Sequence, residues 1–169
     1  MIQDLRKRIK RIQKNLTHIG DKIGEVVESR KDVILSLNRD QMLLGRDAEG
    51  KVLSPTYLDD PYFTSPDKAE RYAHMKYKLE SQHRAMIEYP SLYPDKDKNT
   101  PNLIVTGVFQ SGMFINVGSG TFTIGSTYKD SNDIESKYRG LVFGLSPESK
   151  EYFYNHYLKE RLKTLIFRK

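Results

Sequence analysis

Apolar side chains at Ile2, Leu5, Ile9, Ile12, Leu16, Ile19, Ile23 and Val26 recur in alternating steps of three and four residues. That is the a/d seam of a heptad repeat, and the positions between are largely Arg, Lys, Gln, Asn, Asp and Glu. The spacing predicts a helix over residues 1–30 with one narrow apolar stripe. Such a stripe packs along an edge, against the C-terminal helix of the same chain or against a neighbouring subunit. Gly20 and Gly24 each weaken a helix by ~1 kcal/mol relative to Ala, so they mark a bend or a close approach. The Leu-rich run Val33–Asn38 fits either a short strand or a helical continuation through Gln41 and Met42.

Turn chemistry divides the remainder. Gly45–Gly50 is a turn with two glycines free to take positive φ, and Ser54-Pro55 stops regular pairing. Ser65-Pro66-Asp67 supplies a cap, a proline at the first position and an acid in the first turn of a helix. Ala69, Tyr72, Ala73, Met75 and Leu79 give that helix one apolar face to about Met86, and Tyr89-Pro90 ends it. Residues 90–101 read as an exposed, Pro-bearing loop. A β part is expected next: Leu103–Val105, then Met113–Val117 and Thr121–Gly125 alternating around a Gly118-Ser119-Gly120 turn, with Leu141–Phe143 as a further strand. Residues 126–136 read as polar and turn-rich. Ser146-Pro147-Glu148 repeats the cap-proline-acid start, and Phe153, Tyr157, Leu158, Leu162, Leu165 and Ile166 stripe the helix that follows. The expectation is one α+β domain over 1–169. A small, largely antiparallel sheet is flanked by long N- and C-terminal helices (1–30 and 146–167), with an inserted helix near 66–88 in a mixed body over 33–145. Its expected core is Ile104, Phe109, Ile115, Val117, Phe122, Ile124, Val142, Phe143, Phe153 and Tyr157, and Thr106-Gly107 is expected to make a tight approach ahead of the sheet.

Charge alters this picture more than composition does. At 169 residues the chain can bury a core without metal or disulfide, although it is only 37% hydrophobic and 30% charged. It carries no Cys, which removes disulfide scaffolds and thiol chemistry and suits a reducing cytoplasm. No signal peptide is expected from Met1–Arg6, and no apolar run approaches a membrane span. Residues 1–31 carry a net +5 and residues 159–169 a net +4, leaving −3 of the total +6 to the body between. Basic ends suit nucleic acid, a membrane surface or an acidic protein, or are simply solvated helix faces.

Candidate chemistry is sparse. His18, His74, His83 and His156 offer no i, i+4 pair for a shared metal. Asp59-Asp60 beside Pro61 reads as turn chemistry more than as a catalytic pair. Asp47 and Glu49 resemble a fragment of a calcium loop without its later bidentate Glu. Gly118 and Gly120 lie between strands, away from any helix N-terminus that could hold phosphate. Ser111 has no evident His partner. No catalytic, cofactor-binding or metal-binding residue is therefore assigned, and no enzyme activity is expected. Arg6, Lys10 and Lys14 share one helix face with Lys7 and Arg11 beside them, a stripe that could neutralise several phosphates. No sequence-reading motif accompanies it.

An ordered set of short motifs carries a resemblance. Leu37-Asn38, Gln41-Met42 and Gly45-Arg46-Asp47-Ala48-Glu49-Gly50 lead to Leu53-Ser54-Pro55-Thr56-Tyr57. Thr106-Gly107-Val108-Phe109-Gln110-Ser111 follows, then Phe143-Gly144-Leu145-Ser146-Pro147-Glu148-Ser149. Over roughly residues 33–165 this order is similar to small virion proteins of phages and prophages of gut Bacteroidetes, which resemble tail-completion, neck or head–tail-joining subunits. The helical stretch 66–89 and its Pro-rich tail to 101 are longer than that pattern.

The resemblance implies a non-enzymatic, ring-forming structural subunit of a tailed-phage particle, made in the host cytoplasm and located in the virion. Its implied partners are other copies of itself, neck, portal or tail proteins, and non-specific contact with packaged DNA through Arg6, Lys7, Lys10, Arg11 and Lys14; no membrane and no cofactor are implied. Tyr57, Tyr62 and Phe63, with Ile9, Ile12 and Leu16 of the seam, are the expected interface residues, since Tyr is enriched at interfaces. Two rivals stand beside this reading: a nucleic-acid-binding accessory protein that uses the basic N-terminal helix, and a small hydrolase or nuclease built on Asp59, Asp60 and a His.

Overall fold

The first forty-three residues run as three consecutive helices, α1 (Ile2–Thr17), α2 (Ile19–Ser29) and α3 (Lys31–Leu43), with breaks at His18 and Arg30. A computed structural model describes residues 2–83, 87–118 and 120–167, without the side chains of Gln82, His83 and Pro90. The sequence left 33–38 open between strand and helix. It is helix because α3 is enclosed: nine of its thirteen residues are buried, including Ile34, Leu37 and Met42. A helix buried on most sides shows no amphipathic stripe for the eye to find.

Further along come α4 (Pro66–His83), a 3₁₀ turn at Pro90–Leu92, the one-turn α5 (Val108–Ser111), the hairpin β1 (Met113–Val117) and β2 (Phe122–Ser126), and α6 (Ser131–Lys137). The chain closes with α7 (Pro147–Phe153) and α8 (Lys159–Phe167), joined without interruption through one wide π turn at Tyr154–Leu158. The fold is α+β, and among the described residues the sheet is two antiparallel strands, with Ile115 opposite Ile124. Leu103–Val105 and Leu141–Phe143 are not strands: they are irregular segments that bury Ile104 and Val142 and whose carbonyls at Leu103 and Val142 accept from side chains. The polar stretch expected to be turns contains α6. Ser119 of the hairpin turn and residues 84–86 at the expected helix end lie outside the described residues.

The core has two lobes. One gathers Val27, Val33, Ile34, Leu37, Ile115, Leu145 and Phe153; the other gathers Met42, Leu53, Phe109, Met113, Tyr138 and Val142. Of the expected core residues, Ile104, Phe109, Ile115, Val142 and Phe153 are buried, whereas Val117, Phe122, Ile124, Phe143 and Tyr157 are half-buried at its edges.

Between the lobes α3 presents buried polar side chains, and each is used. Asn38 donates to the carbonyls of Val142 (3.2 Å) and Gly144 (3.0 Å). Gln41 donates to Gly144 O (3.0 Å) and accepts from the Ser146 amide (2.7 Å). Asp40 accepts the amides of Glu88 (2.9 Å) and Tyr89 (2.7 Å). Ser146 in turn caps α7 by accepting from the Ser149 amide, and the Tyr93 hydroxyl bonds both serines. These contacts answer buried backbone groups that no strand or helix ladder reaches.

Gly20 and Gly24 face the hairpin turn. A Cβ on Gly20 would lie 3.5 Å from Gly120 Cα, and one on Gly24 would lie 3.3 Å from Gly118 O. The glycines thus let the turn lie on α2, while the bend falls at His18. Gly107 takes φ +78° at the start of α5 with nothing within 4 Å of a Cβ, so Thr106-Gly107 is a left-handed turn and not the expected tight approach.

Thermal melts are expected to show Gly20→Ala gaining up to about 1 kcal/mol, because helix propensity improves at ordinary contact distance. Gly24→Val is expected to lose about 1–3 kcal/mol by overpacking against Gly118 O. Burial raises the Asp40 carboxyl to about 6 from 3.8, against the pull of the two amides it accepts. Folded Asp40 therefore holds its proton more tightly than unfolded Asp40, and its contribution to stability falls as pH rises from about 4 through 6. Urea unfolding of Asp40→Asn against the parent should shift in favour of Asn by about 2 kcal/mol between those limits; a pH-independent difference would show that burial does not disfavour the ionised carboxylate.

Candidate functional site

A chain of four rings lines one side of the molecule. Tyr57 and Tyr72 meet edge to face at 5.3 Å, Tyr72 lies 5.1 Å from Phe63, and Phe63 lies 5.4 Å from Tyr62. Tyr57 and Phe63 come from the loop after Leu53, and Tyr72 comes from the inward face of α4. Tyr138, just past α6, and Pro101, Leu103 and Val105 complete an open hollow of about 320 Å³. The interface residues expected from sequence, Tyr57, Tyr62 and Phe63, do converge here, in unequal roles. Tyr57 is buried, and burial pushes its hydroxyl far above its ordinary range, so it is a wall of the hollow. Tyr62 is 80% exposed and forms the rim, and Phe63 is half-buried between them.

The floor is ionic. Lys76 is only 2% exposed and donates to Ile104 O. One turn on, Glu80 pairs with Lys96 at 2.6 Å and accepts from Asn102 at 3.2 Å. These bonds seat residues 96–104 on α4 and so shape the hollow's far wall. Burial above all, and then Lys96 nearby, lowers Lys76 to about 8. At the rim Asp60 is buried, pairs with Lys137 of α6 and accepts the Tyr62 amide at 3.1 Å.

Asp59 and Asp60 each make structural contacts among the described residues. Asp59 accepts from the Thr56 hydroxyl (2.6 Å) in a turn, Asp60 ties its loop to α6, and the residues lining the hollow include no His. His74 lies exposed beside Asp67 and Glu70, His156 stacks on Tyr152, and His18 stands 3.8 Å from Asp21. The His83 side chain lies outside the described residues. Among the described residues no three His, Asp or Glu side chains stand close enough to hold a metal ion. Asp47 accepts the amides of Glu49 and Lys51 (2.9 Å each), which is turn chemistry, and Ser111 donates to Val108 O within α5.

A second surface is α1. All of its described side chains are exposed except Ile12 and Asn15, which are half-buried. Asn15 donates to Leu165 O at 2.8 Å, and further along Arg30 lies over the Tyr157 ring at 5.5 Å. The first helices therefore run antiparallel to α7–α8. Ile23 and Val26 pack on the core, and Ile19 is half-buried. In the first half of the same seam Ile2 is 70%, Leu5 59% and Ile9 47% exposed, and Leu16 is exposed as well. Arg6, Lys7, Lys10, Arg11 and Lys14 are all exposed on α1, and α8 brings Lys159, Arg161 and Lys163 alongside. The two basic ends of the sequence thus form one basic region.

Sequence reading missed Tyr72, Lys76, Lys137 and Tyr138 as parts of the hollow. Tyr72 and Lys76 are an i, i+4 pair and so share a helix face, which was the available signal; the α6 residues gave none.

Lys76 ionises at about 8 in the folded chain against 10.5 ordinarily. Its charge therefore costs stability at and below about pH 8, and that cost fades as pH rises towards 10.5. Lys76→Met is expected to stabilise the chain by about 1–2 kcal/mol near neutral pH and to lose that advantage near pH 10, read from urea midpoints. Equal effects at both pH values would contradict a charged, buried Lys76.

Among the described residues no helix is long and apolar enough to cross a membrane. Comparison of the chain with protein-family models, curated proteins and solved structures finds no match.

Proposed function

We propose that this chain is a structural subunit of a tailed bacteriophage particle, a ring-forming component of the neck, head–tail connector or tail-completion region. One observation carries the reading. The chain leaves apolar side chains uncovered on two surfaces built from different elements: the α1 seam, and the rim of the aromatic hollow at Tyr62 and Val105, with exposed Leu58 in the same loop as Tyr62. Uncovered apolar surface marks interaction sites, and a subunit that meets neighbours in more than one direction needs more than one such site. The motif order from Leu37 to Ser149, similar to neck and tail-completion proteins, supplies the setting. In this reading the aromatic rim makes lateral contacts, and α1 reaches a neighbouring protein along the particle axis.

Nucleic-acid binding is the second reading. It draws on the shared basic region of α1 and α8, and a gel-shift titration against salt measures it: tight, steeply salt-dependent binding by the isolated chain would favour it.

The loop that carries Tyr62 is the part to test in the particle, because Leu58 (53% exposed) and Tyr62 (80%) can be truncated without opening the core. The double variant Leu58→Ala/Tyr62→Ala should melt like the parent and lower the yield of complete particles from a lysogen about tenfold or more. Purified particles that lack the chain, or a normal yield from the double variant, would overturn the proposal.

A further inference from the structure

The heptad seam runs through α1 and α2 across the break at His18, and its first residues are uncovered. Along α2 it is covered by α3, the hairpin and the antiparallel α7–α8 rod, and α8 reaches the last turns of α1, where Asn15 bonds the Leu165 carbonyl. From Ile12 the seam continues through Ile9 and Leu5 to Ile2, about 15 Å at 1.5 Å per residue. A groove that takes a helix along one half has the same a/d knobs along the other.

Charge narrows the occupant. Where α8 meets α2 the signs oppose: α2 carries Asp21, Glu25 and Glu28 against Lys22, while α8 carries Lys159, Arg161 and Lys163 against Glu160. Residues 2–17 carry Arg6, Lys7, Arg8, Lys10, Arg11 and Lys14 against Asp4 alone. Arg6 and Arg8 fall at the e and g positions that flank the Ile2, Leu5, Ile9 knobs and choose the partner. A second copy of α1 would bring Arg and Lys against Arg and Lys in either direction. A membrane surface suits a broad apolar face, whereas this one is a two-in-seven stripe with no aromatic residue from Ile2 to Thr17. DNA would satisfy the cations and leave Ile2, Leu5 and Ile9 in water.

We infer that α1 is a docking site for an acidic, heptad-patterned helix of another protein, which lies along Ile2–Ile12. Apolar a/d side chains of the partner fill the uncovered seam, and its glutamates or aspartates flank Arg6 and Arg8. The inference rests on the proposed function only in taking α1 as an assembly surface. Three turns bury little area, so the contact is reversible in isolation and gains strength from repetition around an assembly.

The test uses the full chain and synthetic three-heptad peptides with Leu at a and d, carrying Glu at e and g in one peptide and Lys in the other. Fluorescence anisotropy should show the Glu peptide binding at least tenfold more tightly than the Lys peptide, with affinity falling several-fold between low and high salt. Leu5→Asp/Ile9→Asp, at exposed positions, should lose binding tenfold or more without a change in melting. Arg6→Glu/Arg8→Glu should reverse the preference between the peptides. Equal binding of both peptides, or binding that survives Leu5→Asp/Ile9→Asp, overturns the inference. So does self-association of the parent chain, or its partition onto phosphatidylserine-containing vesicles or a DNA duplex in preference to the Glu peptide, if either is lost in that variant. A chain that binds the Glu peptide but is missing from particles sinks the phage assignment and leaves this inference standing.

Discussion

The polar side chains that α3 buries are the constraint on which the rest of the fold depends. Asn38, Asp40 and Gln41 sit in the middle of the molecule, where an unanswered amide or carboxylate costs several times what a made hydrogen bond contributes. Two segments that belong to no ladder answer the Asn38 Nδ2, the Asp40 carboxylate and the Gln41 amide: Glu88–Tyr89, and Val142 with Gly144–Ser146. Neither α3 nor those segments could exist in this form alone. The helix would leave polar groups dry, and the loops would leave backbone groups unpaired. A two-stranded hairpin is too small a sheet to organise such a chain, so side chain to backbone bonds do much of the work that strand pairing does elsewhere.

From that centre the two surfaces are set in place. Arg39 donates to Gln110 O of α5, and Gln110 donates to Leu103 O, so the wall of the aromatic hollow hangs from α3 through two hydrogen bonds. Lys76 and the Glu80–Lys96 pair hold the same wall from the α4 side. In the other direction Gln41 and Ser146 fix the start of α7. The continuous α7–α8 rod then lies along α2 and the last turns of α1, where Asn15 bonds Leu165 O, while Ile2, Leu5 and Ile9 stay exposed.

Much of this was legible because strong local signals agree with the fold. The three-four spacing from Ile2 to Val26, the cap-proline-acid starts at Ser65 and Ser146, and the alternation around Gly118 and Gly120 all name their elements. Illegible parts share one cause, that burial without periodicity looks like something else. Val33–Leu37 is β-branched and apolar enough for a strand, and its helix is dictated by surroundings on every side. Leu103–Val105 and Leu141–Phe143 mimic strands because their side chains are apolar, while the carbonyls of Leu103 and Val142 accept from the Gln110 and Asn38 side chains in place of a strand partner. The hollow was half visible: a Tyr-rich loop announces Tyr57 and Tyr62, but Tyr72, Lys76 and Tyr138 reach it from two other segments. Even Tyr57 changes role once seen in place, from contact residue to buried wall.

The account turns on α1 being an open surface in the free chain and a covered one in the assembly. Amide hydrogen exchange over Ile2–Ile12 measures that directly, in the isolated chain and in purified particles that contain it. The account predicts rapid exchange in the isolated chain, where few tertiary contacts protect the helix, and strong protection in the particle, with Ile34–Met42 slow in both. Equally rapid exchange over Ile2–Ile12 in both states would contradict it.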